Sequence, residues 1–335
     1  MAGRTAFGAP PSGSSGWGRP VRLLLDVGLW AGLLGLTAVV VVRLLGLDEQ
    51  RHTVAVLALT PYALGAALVA LLGTLVLRRA SAGVVAAVLV VVLGSLVLPR
   101  ALPDPQPAAG GHPLVVASIN LHFGDGAAAG GVVDLVREHR VDVLSLLELT
   151  PAAVAALDAQ GLRELLPHRV YYVGNAASGS GAVSRYPLSQ RVLIPGTVLQ
   201  QPAVMVTMPD DSQVEVQLVH PVQPLSRRGN ATWQQELAVL PPPRGDGTPR
   251  LLVGDFNSTL DHPPLRRLLD AGYVDAADQA GEGLRTTWPT DRGLWPPQVT
   301  IDHVLADPRC SVRSFDVVPV PGSDHRAVVA GLVLP

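Results

Sequence analysis

In the second part of this 335-residue chain, short apolar runs end one after another in residues able to hold a metal or a phosphate. Leu114–Asn120 ends in Asn120, Val143–Glu148 in Glu148, and Val214–His220 in His220. Leu251-Leu252-Val253 runs into Gly254-Asp255-Phe256-Asn257. Thr300-Ile301-Asp302-His303 sets a carboxylate in an apolar stretch, and Gly322-Ser323-Asp324-His325-Arg326 precedes the last run. Asp255 and Asn257 stand two apart on an extended strand and so face the same way. The first can accept a proton from water, and the second can donate to an oxyanion. Carboxylates and carboxamides are the hard oxygen ligands that Mg²⁺ or Mn²⁺ takes. Imidazoles beside them suit phosphoryl transfer to water.

Each residue alone has a simpler reading. Gly-Asp-x-Asn and Asn120 form ordinary turns, Glu148 is a solvated strand end, and His220 is a satisfied surface histidine. Asp302 pairs with Arg326, and Asp324 caps a turn. The signal lies in their recurrence, since one strand tip after another offers such a group.

The elements that would carry these residues alternate unevenly. Strands are expected at 114–120, 143–148, 169–173, 181–184, 203–208, 214–220, 250–255, 299–306, 312–318 and 327–334, from Val/Ile enrichment between turn signals. Helices are expected at 131–140, at 151–157 with Thr150 as N-cap and Pro151 in the first position, at 230–240, and at 263–271 capped by Asp261. Several strands follow one another directly, which implies antiparallel pairing in a mixed α/β domain rather than a doubly wound sheet.

The ordered set Ser-Ile-Asn120, Leu-Leu-Glu148, Leu-Val-His220, Gly-Asp255-Phe-Asn257, Ile-Asp302-His303 and Ser-Asp324-His325-Arg resembles the endonuclease/exonuclease/phosphatase (DNase I-like) family, over the whole region 113–335. Gly181-Ala-Val-Ser-Arg185-Tyr-Pro187 is a less diagnostic element of the same resemblance. The resemblance implies an α/β four-layer sandwich with the site at one end of two packed sheets. It implies Glu148 as principal ligand of Mg²⁺ (or Mn²⁺), with Asn120 beside it and Asp324 contributing. Asp255 would orient or deprotonate the attacking water, and Asn257 would hold it or a phosphoryl oxygen. His220 and His325 would stabilise the transition state or protonate the leaving group, with Asp302 orienting His325. Leu147 stands where many members have Gln, and His122 where some nucleases carry an acid.

The first hundred residues read differently. Residues 1–20 are a Gly/Ser/Pro-rich tail of disordered composition. Apolar stretches at 21–47, 53–77 and 83–98 are expected to be three transmembrane helices, since roughly 20 apolar residues cross the hydrocarbon core. The first is too long for a cleaved signal peptide. The expected division is thus a tail (1–20), a membrane domain (21–99), a Pro/Gly/Ala linker (100–112) and a catalytic domain (113–335). Arg4, Arg19, Arg22, Arg78 and Arg79 lie on one side of the spans, and Arg43, Arg51 and Arg100 on the other. That asymmetry puts the N-terminus in the cytoplasm of a multi-pass cell-membrane protein and the catalytic domain outside.

Charge bears on the substrate. Residues 113–335 hold 17 arginines against 23 Asp and Glu, a formal charge of −6, and the chain has no lysine. Proteins gripping long polyanions usually present basic surfaces. Arg227 and Arg228, or Arg266 and Arg267, are the pairs that could still do so. A tethered site suits a lipid-linked phosphate, and Trp288, Trp295 and Pro296-Pro297 could meet a lipid surface or pack in a loop. The sequence also resembles a bacterial membrane-bound branch of the family associated with glycopeptide (teicoplanin-type) antibiotic resistance, which implies undecaprenyl pyrophosphate or a related cell-envelope carrier. Two other classes stay open: a surface-tethered nuclease acting on extracellular nucleic acid, and a non-catalytic binding or sensor module. Cys310 is the single cysteine, so no intrachain disulfide forms.

Overall fold

The computed structural model describes residues 18–194, 196–245, 247–293 and 297–335. Arg4, Trp295 and Pro296 lie outside the described residues, as do positions 1–17 of the tail.

Helix α1 (Arg19–Leu45) and helix α4 (Ala80–Val97), prolonged by a 3-10 turn to Ala101, are long and apolar enough to cross a membrane. Their large side chains point outward: Leu24, Leu34, Val84 and Val91 are exposed, an arrangement costly in water and suited to lipid. The stretch expected as one middle span is instead two helices, α2 (Arg51–Ala58) and α3 (Thr60–Val76), bent by 65° at Leu59. The cause is Pro61. It has no N–H to offer the carbonyl of Leu57, four residues back, and the Thr60 hydroxyl bonds that carbonyl at 2.7 Å instead. At 1.5 Å per residue, the 17 residues of α3 reach about 26 Å, short of a hydrocarbon core about 30 Å thick. The first hundred residues therefore hold two helices long and apolar enough to cross a membrane and one bent pair, rather than the three uniform spans expected.

The rest of the chain forms two six-stranded sheets. Sheet one has the order β11 (Ser311–Pro319), β12 (Arg326–Val333), β1 (Pro113–Asn120), β2 (Val143–Leu147), β4 (Ser180–Ser184), β3 (His168–Tyr172). Sheet two runs β5 (Leu188–Arg191), β6 (Ala203–Thr207), β7 (Gln213–Val219), β8 (Arg250–Asp255), β10 (Asp302–Ala306), β9 (Val274–Asp275). Each sheet is antiparallel except for one central parallel pair, β1 with β2 and β7 with β8. The sheets pack face to face through Val116, Leu218, Val253 and Val328. Helices α5 (Ala129–Glu138), α6 (Pro151–Ala159) and α7 (Leu162–Leu165) cover the outer face of sheet one. Helices α8 (Arg227–Ala238) and α9 (Pro263–Asp270) cover sheet two, and α10 (Ala276–Gln279) lies beside β10 and β11. The result is the α/β/β/α sandwich expected from the resemblance.

Local chemistry explains some element ends. The Thr150 hydroxyl accepts from Ala153 N at 3.2 Å, with Pro151 in the first turn of α6, as the sequence implies. Asp261 does not cap α9. His262 holds that position without a side-chain cap, and the Asp261 carboxylate is taken by Arg43 and Arg100. Elements β5, β9, α7 and α10 were not anticipated; each is too short to show periodicity. Residues 102–112 lie along the domain. Asp104 N donates to Gln279 O at 3.1 Å, and Gly111 N to Leu334 O at 3.0 Å. Tyr62 of α3 donates its hydroxyl to Gln298 O at 2.7 Å.

Candidate active site

The C-terminal tips of the parallel pairs β1/β2 and β7/β8 meet at one end of the sandwich, and the residues singled out by type gather there. From sheet one come Asn120 and Glu148, and from sheet two His220, Asp255 and Asn257. Asp302 opens β10, and Asp324 and His325 immediately precede β12. All except the partly buried Asn257 are buried.

The backbone is tight where these tips turn. His122, Phe123, Glu148 and Asn257 all take positive φ, between 47° and 62°. Non-glycine residues adopt that region at a cost, and such outliers cluster at functional sites. Gly254, at φ 154°, sits where a Cβ would lie 2.0 Å from Val219 O, so only glycine lets β8 pass β7 directly before Asp255.

Asn120 links the two sheets. Its Oδ1 accepts from His122 N at 3.0 Å, which fixes the amide so that Nδ2 faces Glu148 Oε1 at 3.1 Å and Asp255 Oδ2 at 3.3 Å. Glu148 Oε2 accepts the Phe123 N–H. His220 Nε2 lies 3.9 Å from Glu148 Oε1, its Nδ1 has no hydrogen-bond partner among the described residues, and its backbone N–H donates to Gln201 Oε1 at 3.1 Å. Asn257 N donates to Asp255 Oδ1 at 2.8 Å, and its Nδ2 to Pro221 O at 3.1 Å.

Asp255 and Asp302 are direct cross-strand partners, two carboxylates facing each other in a dry setting. Like charges so placed repel. Burial and the Asp302 charge push Asp255 up to about 7, against the pull of His325. His325 stands between them, with Nδ1 2.9 Å from Asp302 Oδ2 and Nε2 3.8 Å from Asp255 Oδ2. Burial would depress His325, but Asp302, Asp255 and Asp324 together outweigh it and raise it to about 9. His220 goes the other way. Burial, and then the nearby His325 charge, lowers it to about 4. At neutral pH one histidine is thus a cation and the other a neutral ring, the separation by which one site runs acid and base steps together. Asp302 faces His325, not Arg326, whose guanidinium bonds Thr286 O and Gln298 Oε1.

Two residues outside the expected set shape the site. Trp288 Nε1 donates to Asp324 Oδ2 at 3.0 Å and its ring tilts against His325, so it packs into the site rather than facing a lipid surface. Buried His303 donates to Asp275 Oδ2 at 2.7 Å and to Ser258 O at 2.8 Å, bracing the loop that follows Asn257. His303 was visible in the Asp-His pair, but its partners lie 28 and 45 residues away. No spacing pattern signals either bond.

The donor set suits a hard divalent cation. Glu148, Asp255, Asp302 and Asp324 converge, and among the described residues no arginine pairs with any of them. Among the described residues, donor atoms of Asp255, Asp302 and His325 all lie within 4.8 Å of one another. The carboxylate oxygens are the hard ligands that such a cation takes.

The sequence model of the Endonuclease/Exonuclease/phosphatase family matches residues 117–325, more than half of the chain. The chain belongs to the endonuclease/exonuclease/phosphatase family. Members of this family are typically hydrolases that use a divalent metal. Among solved structures, TDP2 of D. rerio complexed with a single-strand DNA product aligns with a TM-score of 0.53 at 16% identity, over 66% of this chain and 98% of that one. TDP2 of C. elegans aligns with a TM-score of 0.53 at 17% identity, over 68% and 76%. At such identities the likeness establishes the two-sheet fold. No curated protein matches the chain in sequence.

Proposed function

We propose that this chain is a membrane-anchored, metal-dependent phosphoesterase that cleaves a phosphodiester or pyrophosphate on a lipid-linked substrate at the outer face of the cell membrane. The observation that carries the reading is the nearness of the site to the apolar helices. Asp261, bonded to Arg43 of α1 and to Arg100 after α4, is only four residues beyond Asn257. Four residues of extended chain span at most about 14 Å, so a substrate held in the bilayer reaches the site with little travel.

In this reading Glu148 holds Mg²⁺ (or Mn²⁺), with Asn120 beside it and Asp324 contributing. The ion supplies charge neutralisation at the phosphoryl oxygens. Asp255 accepts the proton of the attacking water, and Asn257 orients it or a phosphoryl oxygen. His325, kept cationic and oriented by Asp302, faces the developing negative charge. Neutral His220 donates a hydrogen bond, and the leaving-group proton comes from cationic His325. The division into tail (1–20), membrane domain (21–99), linker (100–112) and catalytic domain (113–335) belongs to the same proposal. The orientation rests on the arginine count alone, five on the N-terminal side of the spans against three on the domain side. Arg266 donates to Arg43 O, which takes it away from any polyanion-binding pair with Arg267.

The resemblance to the glycopeptide-resistance branch makes undecaprenyl pyrophosphate the first substrate to test. Full-length protein in detergent with Mg²⁺ is offered that lipid and linear DNA in parallel, with Asp255→Ala as the blank. Phosphate release from the lipid alone is the expected result. Cleavage of DNA alone would make the protein a tethered nuclease. No turnover of either, together with no Mg²⁺ binding by calorimetry, would make it a non-catalytic binding module.

A further inference from the structure

The loop 256–262, which carries Asn257 away from β8, is gripped from two directions. On the domain side, Trp233 Nε1 donates to Phe256 O at 3.0 Å, and His303 holds Ser258 O. On the membrane side, the grip comes from residues more than 150 positions away in sequence. Asp261, whose side chain is 0% exposed, accepts Arg43 Nε at 2.7 Å and both terminal nitrogens of Arg100 at 2.8 and 2.7 Å. His262 takes the Thr259 N–H on Nδ1 at 2.7 Å, and its Nε2 donates to Val54 O of α2 at 2.9 Å. The Val54 side chain enters the apolar cluster of Trp233, Phe256 and Leu260.

A buried Arg–Asp–Arg triad is a weak source of stability, because desolvating three charges offsets most of their attraction. It is, however, demanding in geometry, because a bidentate guanidinium accepts a carboxylate in one plane. We propose that Asp261 is a positioning residue through which α1 and the end of α4 set the loop bearing Asn257, so that the helices complete the active site as well as anchor it. The kinetic half of this proposal rests on the phosphoesterase reading; the structural half does not.

The test uses the full chain in detergent, with bis(p-nitrophenyl) phosphate and Mg²⁺ or Mn²⁺ as probe. That substrate is soluble, so lipid capture plays no part. Arg43→Gln is the informative variant: it removes the hold of α1 but leaves Asp261 paired with Arg100. The expected result is a kcat lowered about tenfold to a hundredfold with KM unchanged, since small misplacements cost that much. Hydrogen exchange of the amides in 256–262 should quicken at least about tenfold, while β1 and β2 exchange as before. If Arg43→Gln does not fold, Arg43→Lys, which keeps the charge but loses the fork, takes its place and should show a smaller loss of kcat with the same selective loosening of 256–262.

Unchanged exchange in 256–262 would overturn the proposal whatever the activity. So would faster exchange spread equally over β1 and β2, which marks simple loss of stability. Selective loosening with full kcat would overturn it as well. If the wild-type protein hydrolyses no phosphoester, the phosphoesterase reading has failed, and the exchange comparison alone decides whether the helices set the loop.

Discussion

The two sheets are built on one plan and finished differently. In each, a parallel pair occupies the third and fourth positions and sends its polar tips into the site. Sheet one is covered by α5, α6 and α7, all encoded between its own strands. The cover of sheet two needs a residue from outside the domain. Its cluster of Trp233, Leu237, Phe256, Leu265 and Tyr273 is completed by Val54, from a helix that precedes the domain by more than fifty residues. The difference suggests a division of labour. In the proposed mechanism sheet one contributes the metal-holding pair Asn120 and Glu148, on a self-sufficient support. Sheet two contributes the water-activating Asp255 and Asn257, on a support shared with the membrane region.

That contrast can be broken most directly at the chemistry. Asp255→Ala and His325→Ala should each lower phosphate release by about 10²–10⁴-fold, the range for losing a group that moves protons, with circular dichroism unchanged. Wild-type turnover in either would remove sheet two from the mechanism. Glu148→Ala should act on the other axis. Apparent Mg²⁺ affinity should fall at least the 10–100-fold that a disturbed metal shell costs, with part of the activity restored by excess metal. If added metal restores nothing, Glu148 is not the ligand that distinguishes sheet one.

A finer comparison sets Val54→Ala against Val132→Ala. Both side chains are buried, and each substitution removes a similar apolar volume, at a cost of about 1–2 kcal/mol. On α5, Val132→Ala should reduce thermal stability with kcat intact. On α2, Val54→Ala should lower kcat as well. Equal behaviour would mean that the two covers are alike in function. The smallest effect concerns pH. Burial would raise the Asp261 carboxyl, but Arg100 and Arg43 outweigh it and hold it below the usual carboxylate range. A depressed folded-state value means the stabilisation is present above the unfolded value, about 3.9 for Asp, and is lost as pH falls through the lower folded one. Thermal unfolding between pH 6 and about 3 should therefore show an acid-sensitive component that Asp261→Asn lacks; an identical profile in the variant would exclude Asp261 as its source.

Much of the site was legible because its residues sit at the ends of short apolar runs, where a polar group has no packing reason to be. Asn120, Glu148, His220, Asp255, Asn257, Asp302, Asp324 and His325 all meet at one end of the sandwich for that reason. Asp261 was misread for the opposite reason. Its surroundings in sequence, just ahead of Pro263, look like a helix start, while its partners lie 161 and 218 residues away. The run 53–77 was misread because hydropathy averages over Pro61, whose missing donor is a matter of one atom rather than of polarity. The sheets followed from alternation, but β5 and β9 are too short for a pattern to repeat.

The placement of residues 102–112 has a mechanical consequence. A domain hung on one free strand swivels and presents its mouth in every direction. Here the chain enters from α4 and is bonded along its length to Gln279 and Leu334. The last turn of α1 is clamped on Asp261 through Arg43, and Tyr62 holds Gln298 from a third direction. Three separated points of attachment fix a plane, so rotation about the tether is removed and the mouth keeps a constant attitude to the helices. For a substrate that diffuses in two dimensions, every collision then arrives from the same side.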